Sequence, residues 1–124
     1  MKYLLILLVF PFISASECGK KNKTTGDDPV STNSVPACIQ KIIDDAEKDI
    51  PPDTPQQVDE YLYNGKKTFL VTAHCCDQYN TLYDEDCKMI CAPTGGFTGK
   101  GDGKCPDFAA NAKHVRLVWK NEKK

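Results

Sequence analysis

The stretch Val58-Asp59-Glu60-Tyr61-Leu62-Tyr63-Asn64-Gly65-Lys66-Lys67-Thr68-Phe69-Leu70-Val71-Thr72-Ala73 decides the fold. Two runs rich in aromatic and β-branched residues flank Asn64-Gly65, the dipeptide that most readily takes the left-handed positions of a tight hairpin turn. Val58–Tyr63 and Lys66–Ala73 therefore read as paired strands. The pattern leaves their register open, because a two-residue turn and a bulged three-residue loop put different partners opposite Phe69.

Upstream of the hairpin, Pro36 to Asp49 reads as a helix. Cys38, Ile39, Ile42, Ile43, Ala46 and Ile50 recur at steps of three and four and form one apolar stripe. Lys41, Asp44, Asp45, Glu47 and Lys48 make the opposite, solvated face. Ser34 is placed to cap the helix, Pro36 fits its first turn, and Pro51-Pro52 stop it. Downstream, Tyr79–Tyr83 and Lys88–Ala92 suit a second, shorter hairpin around Asp84-Glu85-Asp86. Val115, Leu117 and Trp119 alternate with His114, Arg116 and Val118 as a final strand. The expected fold is α+β, with one N-terminal helix packed on a small antiparallel sheet in a single domain, 36–124.

A domain of that size has a marginal core, and disulfides are the usual supplement. Seven cysteines occur in the 124 residues. Six of them, Cys38, Cys75, Cys76, Cys87, Cys91 and Cys105, lie in the domain, an even set that reads as three disulfides. Cys38, on the helix stripe, is expected to staple helix to sheet. Cys75 and Cys76 would point to opposite faces of a strand, so separate partners are expected. The pairing drawn from this is Cys38–Cys75, Cys76–Cys87 and Cys91–Cys105, one of about fifteen formal arrangements.

The seventh cysteine, Cys18, sits at the mouth of an export signal. Met1-Lys2 precedes an apolar run from Tyr3 to Ile13 and the small residues Ser14, Ala15 and Ser16. This is the layout of a signal peptide, residues 1–17, and the run is too short to span a bilayer. Cleavage after Ser16 would leave a soluble chain beginning Glu17-Cys18. Cleavage before Cys18 would leave a cysteine for acylation, which the odd cysteine count favours although Glu17 is a poor neighbour for it. A lipid there would hold the protein to a membrane. Residues 18–35 are polar and lack aromatics, the composition of a flexible tether. Asn22-Lys23-Thr24 is a glycosylation sequon that matters only in a eukaryote.

Several function classes are disfavoured. A formal charge of −1 and a single arginine, Arg116, argue against nucleic acid. After the leader, the only serines are Ser31 and Ser34, in or beside the tether, so no serine nucleophile stands in the domain. Nothing in the sequence puts His74 or His114 beside an activating carboxylate, and His74 with Asp77 reads as a surface pair. Non-enzymatic activity is expected, with no cofactor. Asp84, Glu85, Asp86, Asp102 and Asp107 lack the order of an EF-hand loop. His74 with Cys75, Cys76, Cys87 and Cys91 lacks a C-x₂-C pair for zinc, and the thioredoxin C-x-x-C is missing.

One block stands out for binding: Thr94-Gly95-Gly96-Phe97-Thr98-Gly99-Lys100-Gly101-Asp102-Gly103-Lys104. Its five glycines between Gly95 and Gly103 demand a specific backbone shape. It fails the phosphate-loop pattern, because Gly101 follows Lys100 where Ser or Thr is needed. Its amides suit an anion nest, or else simply a tight loop pinned by a disulfide. It is the candidate binding surface, with Tyr61, Tyr63 and Trp119 as contact residues or core.

The run Cys75-Cys76-Asp77-Gln78-Tyr79-Asn80, then Leu82-Tyr83-Asp84, Ile90-Cys91-Ala92-Pro93, and the glycine block through Cys105-Pro106-Asp107-Phe108, resembles a family of small Bacteroidetes-type exported lipoproteins catalogued as a domain of unknown function. The likeness spans about Cys38 to Trp119. It implies a cell-envelope protein and lipidation at Cys18, and it supplies neither catalytic residues nor ligand. The expectation is an exported binding or structural module, lipid-anchored at a bacterial outer membrane or cell surface, otherwise periplasmic or secreted, facing an unknown protein or glycan. The cysteine intervals do not match a Kazal-like framework, so a protease-inhibitor-like module is the alternative.

Overall fold

A computed structural model describes residues 34–48 and 54–123, which fall in one compact unit, Thr32–Lys124. The expected leader, nearly all of the tether, Cys18, the sequon at Asn22 and the helix stop at Pro51-Pro52 lie outside the described residues.

The chain forms helix α1 (Ala37–Glu47), strands β1 (Gln57–Tyr63), β2 (Lys66–Thr72), β3 (Tyr79–Asp84) and β4 (Met89–Gly95), a one-turn helix α2 (Phe108–Asn111) and strand β5 (Lys113–Lys120). The α+β expectation holds, with all five strands in one antiparallel sheet ordered β4-β3-β2-β1-β5. Asn64 (φ 51°) and Gly65 (φ 74°) are both left-handed, so the first hairpin has a two-residue turn. That settles the register: Tyr63 pairs with Lys66, and Glu60 lies opposite Phe69.

Side chains alternate across a strand, so the sheet has two cores. On one face Val58 and Phe69 meet Ile39 and Ile43 of α1, with Val71, Tyr83, Val118 and Trp119 around them. Phe69, Ile39 and Val58 are wholly buried. Trp119 Nε1 donates to Glu47 Oε1 at 3.2 Å, fastening the end of α1 to β5. On the other face Tyr63, Leu70, Leu82, Cys91 and Cys105 gather around Phe108 of α2. Tyr61 and Tyr63 both pack on the Phe108 ring, with centroids 5.1 and 5.2 Å away. Tyr61, Tyr63 and Trp119 are thus packing residues first.

Among the described residues two disulfides are formed, Cys38–Cys87 and Cys91–Cys105. The expected Cys91–Cys105 bond is present; Cys38–Cys75 and Cys76–Cys87 are not, and Cys75 and Cys76 are free and exposed. The reason is topological. Cys87 lies in the β3–β4 turn, Cys75 and Cys76 in the β2–β3 turn, and β3 separates the two by about 20 Å of strand. The start of α1 sits at the Cys87 end, so Cys38 does staple helix to sheet, but at the other end of β3 from the one expected. The bond closes a span of 49 residues, for which restriction of the unfolded chain is worth about 4 kcal/mol.

Candidate functional site

The glycine block leaves β4 and returns to Cys105 as a closed loop. Its turns are held by backbone hydrogen bonds, two within the block and two to its neighbours: Gly99 N–H donates to Gly96 O (3.0 Å) and Gly101 N–H to Gly95 O (3.0 Å), while Gly96 N–H donates to Gln78 O (2.8 Å) and Asp102 N–H to Ala92 O (2.8 Å). Asp102 Oδ1 accepts from Lys104 N–H, and that bond holds the Asp102 carboxyl below its ordinary range. Glycine is required at two places by contact as well as by conformation. A Cβ on Gly95 would lie 2.3 Å from Gln78 O, and one on Gly101 would lie 2.0 Å from Ala92 O, both at positive φ. With these amides spent internally, the pinned-loop reading describes the block better than an anion nest. Its apex is displayed. Phe97 is 91% exposed, with Thr98, Gly99 and Lys100 exposed beside it.

A second feature was not legible in the sequence. Asp59 and Glu60 are consecutive in β1 and both buried, and each reaches β5 from its own face. His114 Nε2 lies 3.0 Å from Asp59 Oδ1, and Arg116 Nε donates to Glu60 Oε2 at 2.7 Å. Register shifts between Val58 and Asp59 and between Glu60 and Tyr61 fit β5 to this arrangement. The sequence placed neither histidine beside a carboxylate; the structure gives His114 one, while His74 and Asp77 are exposed. The signal was there in β1, where two acidic residues interrupt an apolar run, and in β5, where His114 and Arg116 recur two apart.

On the α2 face a cleft of about 390 Å³ is lined by Gln57, Asp59, Tyr61, Asn80, Thr94 and Phe108, among others. Gln57 Nε2 donates to Asp59 Oδ2, and Asn80 Nδ2 to Thr94 Oγ1 at 2.9 Å. Burial and then the charge of Asp59 push the Tyr61 hydroxyl pKa up, so the phenol stays protonated. Nearby, Tyr63 donates to Asp107 Oδ1 at 2.7 Å. That bond is the main cause both of a raised Tyr63 and of a lowered Asp107, which also accepts from Asn111.

The acidic residues weighed for calcium have separate duties. Asp84 Oδ1 closes its own turn by accepting from Asp86 N–H and Lys88 N–H, Asp102 caps Lys104, and Asp107 holds Tyr63. Among the described residues no group of three or more His, Cys, Asp or Glu is arranged to hold a metal ion.

The β2–β3 turn carries Cys75 and Cys76 side by side. Gln78 N–H donates to Cys75 O (3.1 Å), Gln56 Nε2 to His74 O (3.1 Å) and Ala73 N–H to Asn80 Oδ1 (2.9 Å). The neighbouring Cys76 thiol is the largest cause of a raised Cys75 pKa. Gln78 belongs to both regions, since its carbonyl receives Gly96 N–H.

No curated protein and no solved structure matches the chain. The domain of unknown function DUF6970 matches residues 44–121, more than half of the sequence, and takes in the sheet, both free cysteines and the glycine loop. By that match the chain belongs to the DUF6970 family.

Proposed function

We propose that this protein is an exported cell-envelope lipoprotein of a Bacteroidetes-type family, anchored through Cys18, whose domain is a non-enzymatic binding module presenting the Phe97–Lys100 apex to a protein partner. The observation that carries the reading is Phe97, 91% exposed on a loop whose backbone is closed by its own hydrogen bonds and by Cys91–Cys105. A large apolar ring held in water on a stiff support loses little entropy on docking, which makes it an efficient anchor for a hydrophobic pocket. The leader-like apolar run, the cysteine at its mouth and the two disulfides support export. His114 and Arg116 act as struts between β1 and β5, which supports binding rather than catalysis.

A photoreactive group at position 97 of the intact protein, compared with one at exposed Ala110 on α2, tests this in envelope fractions and on a glycan array. A protein crosslinked from 97 and not from 110 is the expected result. Equal labelling from both positions, or capture by glycans alone, overturns it. Mass spectrometry of the mature N-terminus tests the anchor, and a free Glu17 amine overturns that part. A stiff exposed loop also suits a protease inhibitor, so inhibition in a protease panel that Phe97→Ala abolishes would favour that second reading.

A further inference from the structure

We propose that Cys75 and Cys76 form a disulfide-exchange site, and that their oxidation to a vicinal disulfide loosens the root of the glycine loop. The inference deepens the binding reading above and rests on it for its consequence, though not for its chemistry. Four of the domain's cysteines are bonded in pairs, while these two are adjacent, exposed and unbonded. Any small-molecule disulfide that reaches the surface meets them first. Either exposed sulfur can open the exchange. When that of Cys76 does, it attacks R–S–S–R, forming Cys76–S–S–R and releasing one thiol. Cys75 gives up its proton and attacks the Cys76 sulfur, forming the Cys75–Cys76 bond and releasing the second thiol. The chain loses two hydrogens and the external disulfide gains them.

The ring that closes contains the 75–76 peptide. Adjacent Cα atoms stand about 3.8 Å apart across a planar trans peptide, whereas an unstrained disulfide needs at least about 4.4 Å. The Cα separation is fixed, so the ring closes by rotation about the bonds flanking the peptide, which turns its plane, and the bond so made is labile, as exposed and strained disulfides are. The Cys75 carbonyl lies in that plane, and it accepts the Gln78 N–H at 3.1 Å. Turning it breaks this bond to the Gln78 amide. The Gln78 carbonyl in turn holds Gly96 N–H at 2.8 Å and touches Gly95 so closely that a Cβ there would lie 2.3 Å from it. Two consecutive hydrogen bonds thus connect the thiols to the base of the loop that carries Phe97.

The test reduces the full-length protein with a mild monothiol, then treats it with glutathione disulfide and follows intact mass, peptide maps and amide hydrogen exchange. The expected product is two hydrogens lighter, bonded at 75–76, with Cys38–Cys87 and Cys91–Cys105 intact. Exchange at Gln78 and Gly96 should quicken about fivefold, the equivalent of one net hydrogen bond. The double variant Cys75→Ser, Cys76→Ser should show neither change. A persistent glutathione adduct, a bond to another cysteine, amides that do not respond, or a double variant that responds alike would each overturn the proposal. The readout needs no ligand, so loss of binding through Phe97 in both redox states would sink the binding reading alone.

Discussion

The two faces of the sheet are covered in different ways. The α1 face is covered by three turns of amphipathic helix over wholly buried Val58 and Phe69, leaves a cleft of about 360 Å³ beside Ile42, Val71 and Tyr83, and is tied down by a bond spanning 49 residues. The α2 face has a four-residue helix, a glycine loop and a bond spanning 14 residues, and beside its apolar cluster runs a cleft edged by a buried carboxylate. The larger helix and the longer crosslink belong to the first face, whereas the displayed loop and the cleft edged by Asp59 belong to the second. The one carboxylate pair shared between them, Asp59 and Glu60, shows the same contrast: Glu60 holds a permanently charged guanidinium, and Asp59 a histidine whose side chain is half exposed.

This contrast can be broken by mutation. The largest effect is expected for Phe69→Ala, which removes a fully buried ring beneath α1 and should cost about 4 kcal/mol in chemical denaturation; Phe108→Ala should cost about 3 kcal/mol, because a one-turn helix can settle into the space. Equal losses would show that α2 seals its face as firmly as α1. Within the loop, Gly101→Ala puts a methyl 2.0 Å from a carbonyl oxygen and should cost about 3 kcal/mol. Gly99→Ala meets open space and pays only for its positive φ, about 1 kcal/mol. Both are read by thermal unfolding, and similar values would refute the tight root described above.

A smaller difference separates the two struts. Glu60→Gln should lose about 2 kcal/mol, less than for a wholly buried pair because Arg116 is a third exposed. Asp59→Asn should lose about 1 kcal/mol. The subtlest test uses pH. The Asp107 pKa is depressed by the Tyr63 hydroxyl, so its contribution is present above the unfolded carboxylate pKa and is lost as pH falls through the folded value. The Tyr63 pKa is raised, so its contribution is full below the unfolded value of 10.0 and is lost as pH rises through the folded one. Tyr63→Phe should therefore flatten the Tm profile at both the acid and the alkaline end. A variant whose profile parallels the wild type would show that the bond is inconsequential.

Much of the architecture was readable from local chemistry. Asn64-Gly65 located the hairpin but left its register open, the isoleucine spacing specified α1 and its buried side, and alternation in 114–119 specified a strand. Neighbourhood was harder. Alternation tells which way a side chain points, never which strand lies beside it, so the pairing of β5 with β1 and both carboxylate struts stayed hidden. The disulfides failed for the same reason. The helix stripe placed Cys38 over the sheet but could not say which end of β3 its start would reach, and Cys87 won over Cys75 on that point alone. Phe108–Asn111 is too short to show a period. The glycine loop was legible as an unusual backbone, but the exposure of Phe97 depended on which amides its turns consumed.

The strand order has a consequence for biogenesis. Gln57 waits for Lys120, so one margin of the central hairpin has no neighbour until a segment far downstream arrives. As the chain emerges from its N-terminal end, β1 to β4 would be present with that margin bare, open to association with other chains. Completion of the barrier to aggregation is therefore a late event, when His114 and Arg116 of β5 find Asp59 and Glu60 and zip the sheet shut.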